Sequence, residues 1–585
     1  MRLTTEQRGA VSEIGHVCLV SCPGSGKTRA IVAKLLHCID EVTGTTRRVA
    51  CITHTNAAAD EIDARLREIC FGREDVYYDV STIHGFALQN ILRPFCHLLP
   101  EFRNGFTILT SDADDYGGKA RELMERFGLR NFAFDEFDRI QRGPGGSLAH
   151  VGALPIDLQR EWCEWLDGNA FTTLGDIVYH AERLITSHPH IASALASHFA
   201  WILVDEFQDS SPGQIEILLA IYRFSRTTFF CVGDPNQSIY RFAGASADLL
   251  VRFATEIEAN MNHRLTGNFR SSELICARAE RLCTSTSPMQ AVGTHAGCQI
   301  PPSHHTVATA AAGVFDHFLP AVLDLDLPLG EVAILAPWWM SLFHLARELR
   351  AHGIPAIGPG ARPYRRSHLI SQIIEPIGAY LESPESDIAI AVQRALFILI
   401  ASLTDQSPYV AFDFRGRLIV CRLLAEAATA RQSSVRAVDW IIDATDRFAR
   451  VLVESETLPG SAAEALRESA AQMVADMRAR DGAETLTIAD LGIFARPKHC
   501  VQLLTVHRAK GREFEAVAVI DAHNGRFPHF SIADISDPAE YQAEYDESRR
   551  VIYVATTRAK RILMFFSDTS HHRNTPTPFL AEMGL

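Results

Sequence analysis

The chain has 585 residues, which is too long for a single hydrophobic core, and we expect about three to five compact units. Its content of 47% hydrophobic and 22% charged residues is ordinary for a soluble globular protein. A net charge of -14 argues against a surface coated with nucleic acid, although it leaves room for a local basic groove.

Neither a membrane segment nor a metal cluster is expected. The first ten residues are polar, and the longest apolar run, Ala395 to Leu403, is too short to span a bilayer and is interpreted as a buried helix. The 13 cysteines form no C-x-x-C pair, which argues against a zinc or iron-sulfur site and fits reduced thiols. We therefore predict a cytoplasmic protein with no membrane partner.

Short apolar strands alternate with helical runs from the N-terminus. Four strands, "HVCLV", "RRVACIT", "WILVDE" and "TTFFCVGD", end in polar residues, as in open parallel α/β sheets whose strand ends face a ligand. Between His84 and Trp201 the pattern is helical and irregular, with a glycine-rich stretch from Gln141 to Ser147. We predict a RecA-like domain that carries an insert.

The segment from Ser21 to Arg29, "SCPGSGKTR", lies between the first strand and a helical run. Its small residues let backbone N–H groups turn toward a triphosphate, Lys27 can neutralise the β- and γ-phosphates, and the Thr28 hydroxyl can hold Mg2+. The alternative is a glycine-rich turn that serves packing alone. The predicted nucleotide-binding residues here are Ser21, which stands where glycine is usual, Cys22, Pro23, Gly24, Ser25, Gly26, Lys27, Thr28 and Arg29.

The strand "WILVDE" ends in two carboxylates, Asp205 and Glu206. Because adjacent strand residues point to opposite faces, one can hold Mg2+ through water while the other orients or deprotonates the attacking water. The alternative is a pair of surface acids at a strand end. The residues alone leave open which of the two carboxylates holds Mg2+ and which acts on the water.

A second alternating stretch begins near Asn268, turns helical from about Arg366 to Arg496, and then returns to strands at "CVQLLTV" and "EAVAVID". The predicted fold class is α/β, with two RecA-like P-loop domains of parallel sheet that each carry a mainly helical insert. The predicted boundaries are 1–88 and 196–262 for the first core, 89–195 for its insert, 263–366 and 496–585 for the second core, and 367–495 for its insert.

Nine short blocks lie along both predicted cores. In chain order they are "LTTEQRGAV", "SCPGSGKT", "ITHTNAAADEI", "STIHGF", "VDEFQDSSPGQ", "VGDPNQSIYRFAGA", "GNFRSS", "TVHRAKGREF" and "RRVIYVATTRA". In these blocks and in their order the chain resembles the UvrD/Rep/PcrA group of superfamily 1 DNA helicases, while the two inserts carry little that matches.

The resemblance implies roles around ATP. Gln7 matches the glutamine that bonds adenine, Phe269 replaces a stacking tyrosine, and Glu513 matches an acid near the ribose. Gln237 matches an amide that senses the γ-phosphate, and two arginines match those that approach this phosphate from the second core. A guanidinium suits charge on a transferred phosphoryl group, although a lone arginine is more often a surface ion-pair partner. The implied catalytic residues are Lys27, Asp205, Glu206, Gln237, Arg270 and Arg558, with Thr28 and Asp205 as the Mg2+ ligands and Glu206 as the base for the attacking water.

The resemblance also implies contacts with single-stranded DNA. Tyr240 and Phe242 would stack on bases, although two aromatics at this spacing also suit a packed strand face. Phe242 replaces a family tryptophan, Ala243 an arginine, His54 a phenylalanine and Ala57 a lysine, so we expect a weaker grip on DNA. The residues implied to hold the DNA backbone without reading sequence are Thr55, Asn56, His84, Thr505 and His507.

The function implied by the resemblance is an ATP- and Mg2+-dependent motor. It would move along single-stranded DNA in the family's 3′-to-5′ direction and open tailed duplexes in repair, replication or anti-phage defence. The rival is a DNA-end-sensing subunit of a Gabija-type defence complex, with a separate nuclease partner and little unwinding of its own. A short second insert fits this rival, and the short tail after Ala559 predicts no fused nuclease.

Overall fold

The computed structural model divides the chain into two compact units. Unit 1 comprises Met1–Gln299 and Ile532–Thr557, and unit 2 comprises Ile300–Ser531 and Arg558–Leu585. Each unit contains a six-stranded parallel sheet, which confirms the predicted α/β class. The four-part division of the sequence stays a prediction. The described residues are 2–71, 77–111, 113–129, 134–148, 154–241, 247–283, 288–365, 368–404, 407–434, 436–479, 483–570 and 575–585.

The strands of unit 1 include the four predicted from its alternating pattern. In chain order they are Val17–Ser21 (β1), Arg48–Thr53 (β2), Tyr78–Thr82 (β3), Thr107–Ile108 (β4), Phe171–Thr172 (β5), Phe199–Val204 (β6), Thr228–Gly233 (β7), Arg264–Leu265 (β8), Gly267–Asn268 (β9) and Gln290–Ala291 (β10). The main sheet has the order β3-β2-β6-β7-β1-β8, and two short pairs, β4-β5 and β9-β10, lie outside it.

Both faces of the unit 1 sheet are buried. Successive residues of a strand point to opposite faces, so Leu19 and Leu203 join one apolar cluster whereas Cys18 and Ile202 join the other. This burial explains why the strands are nearly continuous apolar runs. The helices of this part are Thr5–Val11 (α1), Lys27–Val42 (α2), Asn56–Ile69 (α3), Ile83–Ala87 (α4), Arg93–Phe95 (α5), Asp114–Arg126 (α6), Ile156–Gly168 (α7), Ile177–Ser187 (α8), Pro189–His198 (α9), Pro212–Tyr222 (α10), Ala247–Glu256 (α11) and Glu273–Leu282 (α12).

The segment predicted as the first insert has an apolar cluster of its own around Trp162. The rings of Tyr116 and Phe137 lie 5.0 Å and 4.9 Å from that of Trp162. Beside this cluster, the buried Arg142 donates hydrogen bonds to the carboxylates of Asp167 and Asp176. These bonds compensate the burial of the guanidinium and join the end of α7 to the start of α8.

His180 makes the stability of unit 1 depend on pH. Burial, together with the charges of Arg142 and Arg183, lowers the pKa of His180 to about 2. Glu101, 3.7 Å from its Nδ1, is itself paired with Arg183. Because only the unfolded chain takes up this proton below its ordinary pKa of about 6.5, the stabilisation is complete above that pH and lost below it.

We therefore expect the free energy of unfolding to fall by about 1.4 kcal/mol between pH 7.5 and pH 5.5 through His180 alone. Urea unfolding at both pH values measures the fall, and His180→Gln should reduce it by that amount. His190→Gln alters an exposed histidine nearby and should leave the wild-type pH dependence in place. An equal pH dependence in the wild type and in His180→Gln would show that His180 does not remain neutral in the folded state.

Unit 2 repeats the parallel α/β plan with a different strand order. Its strands are Ser303–Val307 (β11), Val332–Ala336 (β12), Ala356–Ile357 (β13), Val501–Thr505 (β14), Phe514–Val519 (β15) and Ala559–Asp568 (β16). The sheet order is β11-β16-β15-β12-β14-β13. The predicted strands "GEVAILAP", "CVQLLTV" and "EAVAVID" correspond to β12, β14 and β15.

The helices of unit 2 include a bundle between β13 and β14, in the segment predicted as the second insert. By length and composition alone, the helix Ser386–Leu403 could cross a membrane, which is weak evidence because core helices also pass that test. Its residues Leu396, Leu399 and Ile400 are buried in the bundle core, whereas Ile398 is exposed, so the predicted buried helix buries one face. The helices are Ala310–Gly313 (α13), Leu319–Asp324 (α14), Trp339–Ala351 (α15), Ser371–Glu382 (α16), Ser386–Leu403 (α17), Phe414–Ser433 (α18), Ala437–Glu454 (α19), Gly460–Arg478 (α20), Ile488–Gly492 (α21), Val506–Ala509 (α22) and Pro578–Met583 (α24), while Pro538–Thr556 (α23) belongs to unit 1.

Candidate functional site

The predicted phosphate loop connects β1 to α2 at the carboxyl end of the unit 1 sheet. Gly24 and Gly26 have positive φ angles of 67° and 77°, a conformation that glycine adopts without strain. The hydroxyl of Ser21 donates to the carbonyl of Gly233 at 3.1 Å, so the serine at the usual glycine position ties β1 to β7. The Ser25 Oγ is buried and has no hydrogen-bond partner among the described residues, which fits a phosphate oxygen as its missing partner.

Lys27 is the first residue of α2 and lies among carboxylates. Its Nζ is 3.2 Å from Oε2 of Glu206, and its side chain is only 12% exposed. Burial disfavours the ammonium form, but nearby carboxylates, led by that of Glu206, outweigh the burial and raise the Lys27 pKa. The loop therefore holds a permanent cation where phosphates would bind.

Asp205 and Glu206 lie directly after β6. Asp205 is buried, and its backbone N–H donates to the carbonyl of Ile52 on the neighbouring β2 at 2.9 Å. Burial and the neighbouring Glu206 raise the pKa of Asp205, while Lys27 opposes them. Glu206 has a φ of 50°, which is strained for a residue with a side chain, and its N–H donates to Oδ1 of Asp205. The two carboxylates thus differ in exposure and orientation, as a division between metal binding and proton transfer requires.

Two further polar residues complete this network and were not singled out from the sequence. Gln208 donates to Glu206 Oε2 at 2.6 Å and accepts from the backbone N–H of Asp234 at 2.9 Å. Asp234 in turn accepts from Nε2 of the predicted sensor Gln237 at 2.6 Å. A continuous chain of hydrogen bonds therefore runs from Glu206 to Gln237, and its parts lie in the blocks "VDEFQD" and "VGDPNQ".

Predicted adenine and γ-phosphate residues also lie against the phosphate loop within unit 1. Gln7 donates from Nε2 to the carbonyl of Ser25 at 3.0 Å, and the backbone N–H of Phe269 donates to the carbonyl of Gly24 at 2.9 Å. Arg270 follows directly, and its Nη1 donates to the carbonyl of Thr557 at 2.9 Å. The structure brings these residues together, and their contacts with ATP stay predictions.

Of the other loop residues, Cys22 donates from Sγ to the carbonyl of Thr266, Pro23 is buried, and Thr28 and Arg29 form the first turn of α2.

Gly24→Ala is expected to weaken ATP binding at least about tenfold. A Cβ on Gly24 would lie 2.7 Å from Cβ of Arg270 and 2.8 Å from Oδ1 of Asn268, so the loop must shift. The left-handed backbone adds about 1–2 kcal/mol of strain to an alanine. The free variant relieves this strain by moving the loop, so ATP binding must restore the loop at that cost, and about 1.4 kcal/mol corresponds to a tenfold loss of affinity. Titration with a fluorescent ATP analogue measures the affinity. Gly44→Ala shares the strain, with a φ of 80° but open space, and should leave that affinity unchanged; equal affinities for both variants would contradict the loop's role.

The residues predicted to hold DNA in unit 1 line one groove of about 690 Å³. Thr55 caps α3 by accepting from the N–H of Ala58, which orients it together with Asn56 at the helix start, and His84 lies on α4. Burial lowers the pKa of His84. The other wall comes from the predicted insert and was missed by sequence reasoning because that segment matches no family block. Its polar lining residues are Thr110, Ser111, Asp138, Gln141 and Thr173.

The predicted stacking residue Tyr240 lies beside this groove. Its ring centroid is 5.3 Å from that of His54, a groove residue that replaces a family phenylalanine. Burial, followed by the charges of Asp209 and Glu206, raises the pKa of Tyr240 to about 12. Phe242 and Ala243, the other residues of this predicted contact, lie outside the described residues.

Unit 2 holds the remaining predicted site residues. Thr505 ends β14 and caps α22 through Oγ1, and His507 lies on that helix. Glu513 forms an ion pair with Lys560 at 3.5 Å. Arg558 is 1% exposed, and its Nη1 donates to the carbonyl of Arg512 at 3.1 Å. Their roles toward ATP and DNA stay predictions.

The groups in unit 1 fit ATP and Mg2+. The loop offers a buried cation, a buried hydroxyl that has no partner among the described residues, and two glycines, Gly24 and Gly26, where an added Cβ would lie 2.7 Å and 2.8 Å from another side-chain atom. Thr28 and Asp205 are oxygen donors of the kind that Mg2+ prefers, and they would hold the ion, which neutralises phosphate charge when bound. Lys27 would bind the phosphates, and Glu206 could accept a proton from water.

One further group of titratable residues lies in unit 2. The ligand atoms of Asp521, His523 and Asp568 lie within 4.8 Å of one another. However, Nε2 of His523 accepts a hydrogen bond from the backbone N–H of Asp568 at 3.2 Å. This bond ties the end of β16 to the segment after β15, so packing accounts for the group and we assign no metal to it.

The parallel sheets, the phosphate loop and the strand-end carboxylates together define an ATP-hydrolysing enzyme of the P-loop class. Comparison with known protein families identifies the family within this class. The UvrD/REP helicase N-terminal domain matches residues 3–140 and 156–258, and the UvrD-like helicase C-terminal domain matches residues 474–570. Together these matches span more than half of the chain.

Similar proteins extend the match to nearly the whole sequence. The ATP-dependent DNA helicase Rep of Escherichia coli is 25% identical over 100% of this chain and 94% of its own length. The ATP-dependent DNA helicase PcrA of Staphylococcus aureus is 22% identical over 99% of this chain and 86% of its own length. The chain therefore belongs to the UvrD/Rep/PcrA type of superfamily 1 helicases, whose enzyme class is the ATP-hydrolysing DNA helicase.

Proposed function

We propose that this chain is a cytoplasmic motor that uses ATP and Mg2+ to move 3′-to-5′ along single-stranded DNA and to open tailed duplexes. One connection within unit 1 carries the proposal. The backbone N–H of Asp205 is bonded to the carbonyl of Ile52, and the groove residues Thr55 and Asn56 follow three and four positions later. A DNA strand held by Thr55 and Asn56 would pull on the end of β2. Because β2 is bonded to the end of β6, this pull would act directly on the residues proposed to hydrolyse ATP.

Single-stranded DNA is expected to raise ATP turnover at least about tenfold. The factor corresponds to a coupling free energy within the usual range of about 1–3 kcal/mol. Steady-state hydrolysis with and without an oligothymidine of 20 nucleotides measures it, and a blunt duplex of equal length is the control. Equal rates with and without the oligonucleotide would remove the motor role.

Direction and strand separation need a second measurement. Duplexes with a 3′ tail or a 5′ tail, each labelled for strand release, should be opened from the 3′ tail only. Stimulation of hydrolysis without release from either tail would instead support the rival role, a DNA-end sensor that acts with a separate nuclease. In that case a nuclease that copurifies with the chain becomes the partner to test, and anti-phage defence becomes the favoured pathway over repair or replication.

A further inference from the structure

Four large apolar residues are exposed together in unit 2, at the junction of β12 and α15. Trp338, Trp339, Met340 and Phe343 are 39%, 56%, 62% and 37% exposed, and we call them the Trp338 surface. The rings of Trp339 and Phe343 lie 5.2 Å apart, one turn apart on the helix. Adjacent exposed tryptophans are costly to keep in water and mark an interaction site.

The Trp338 surface has a cation beside it. The guanidinium of Arg526 lies 5.5 Å from the ring of Trp338, and the ring of His529 lies 4.9 Å from it. Among the described residues, Arg526 has no carboxylate partner for its side chain, and its buried Nε has no hydrogen-bond partner. Flat aromatic faces next to an uncompensated cation suit a ligand that combines planar rings with negative charge.

The position of the Trp338 surface in unit 2 further restricts the kind of ligand that would bind there. Strands β12 and β14 pair in parallel, with Ala336 opposite Thr505. Trp338 follows Ala336 by two residues, so it lies at the same sheet edge as Thr505 and His507, which are predicted to hold a DNA backbone. A surface for bases would thus lie next to groups for the sugar-phosphate chain.

We propose that the Trp338 surface stacks on the bases of single-stranded DNA, with Trp339 as the main contact and Arg526 near a phosphate. This inference rests on the proposed function and adds a binding contact that no family block contains. A purely apolar protein partner would leave the charge of Arg526 buried without compensation, whereas a nucleic acid strand satisfies it. Stacking on any base suits a motor that must pass every sequence.

Trp339→Ala tests the proposal because Trp339 is the more exposed of the two tryptophans and its loss should leave the fold intact. It should weaken binding of a 20-nucleotide oligothymidine at least about fivefold, as expected for the loss of one stacked base. Trp339→Phe keeps a ring and should recover most of the affinity. Phe414→Ala removes another exposed ring of unit 2, 75% exposed on α18, and should bind like the wild type. Fluorescence anisotropy measures affinity, and thermal unfolding verifies the fold.

An abasic oligonucleotide separates base stacking from backbone contact. The wild type should bind oligothymidine more tightly than an abasic strand of equal length, and Trp339→Ala should lose most of that preference. If hydrolysis by the wild type responds to DNA but Trp339→Ala keeps both affinity and preference, this inference is overturned and the proposed function stands. If the wild type neither binds DNA nor responds to it, both fail.

Discussion

Glu206→Gln is expected to hydrolyse ATP about 10^2 to 10^4 times more slowly than the wild type, because an amide cannot take a proton from the attacking water. The substitution keeps size and an oxygen acceptor, so the contacts with Lys27 Nζ and Gln208 Nε2 can persist. An interaction used only in the transition state leaves ground-state binding alone, so ATP affinity should stay within about threefold. Single-turnover hydrolysis and nucleotide titration measure the two quantities.

A matched control for this variant lies in the same unit. Glu216→Gln removes a carboxylate that pairs with the exposed Arg252 at 3.1 Å, and its turnover should be normal. With ATP and single-stranded DNA bound, the Glu206→Gln complex should outlive that of the wild type. Turnover near the normal rate in Glu206→Gln would assign the base to another group.

The parts of the site that lie within short contiguous segments could be predicted from the sequence. The phosphate loop is one example, because the left-handed backbone at Gly24 and Gly26 and the position of Lys27 at the start of α2 depend on neighbours in the chain. The buried strands were equally predictable, since burial on both faces requires a continuous apolar run such as Phe199–Val204. A structural feature that depends on a few consecutive residues is therefore recognisable in the sequence of those residues.

The parts that depend on which strands are neighbours could not be predicted in the same way. Gln208 bridges Glu206 and Asp234 only because β6 lies beside β7 in the sheet. The hydroxyl wall formed by Thr110 and Thr173 needs the insert to face the groove, which no motif encodes. The exposure of Trp338 is equally hidden in the sequence, since this residue follows the buried strand Val332–Ala336 by two positions and a large apolar side chain there would be expected in the core.

Arg270→Lys is expected to lower the maximal rate of hydrolysis about 10^3- to 10^5-fold, the range found for an arginine that stabilises a transferred phosphoryl group. Lysine keeps the charge but presents a single donor point. Arg270 donates from Nη1 to the carbonyl of Thr557. A guanidinium carries its N–H donors in a planar fork, so one such side chain can donate to a carbonyl and to a phosphate oxygen together. A lysine cannot donate to the Thr557 carbonyl and to a phosphate oxygen in the same geometry. The substitution therefore keeps the positive charge and removes the planar arrangement of donors, so it shows which of the two the reaction needs.

The ratio of the two effects of this substitution decides what Arg270 does. A large fall in the maximal rate with little change in ATP affinity means that the guanidinium acts on the transition state. Equal losses in rate and affinity would mean that it holds bound ATP, and a normal rate would reduce it to a structural link to Thr557. Arg252→Lys, at an exposed ion pair of the same unit, should change neither quantity. Arg558→Lys, measured in parallel, tests the buried arginine of unit 2 by the same ratio.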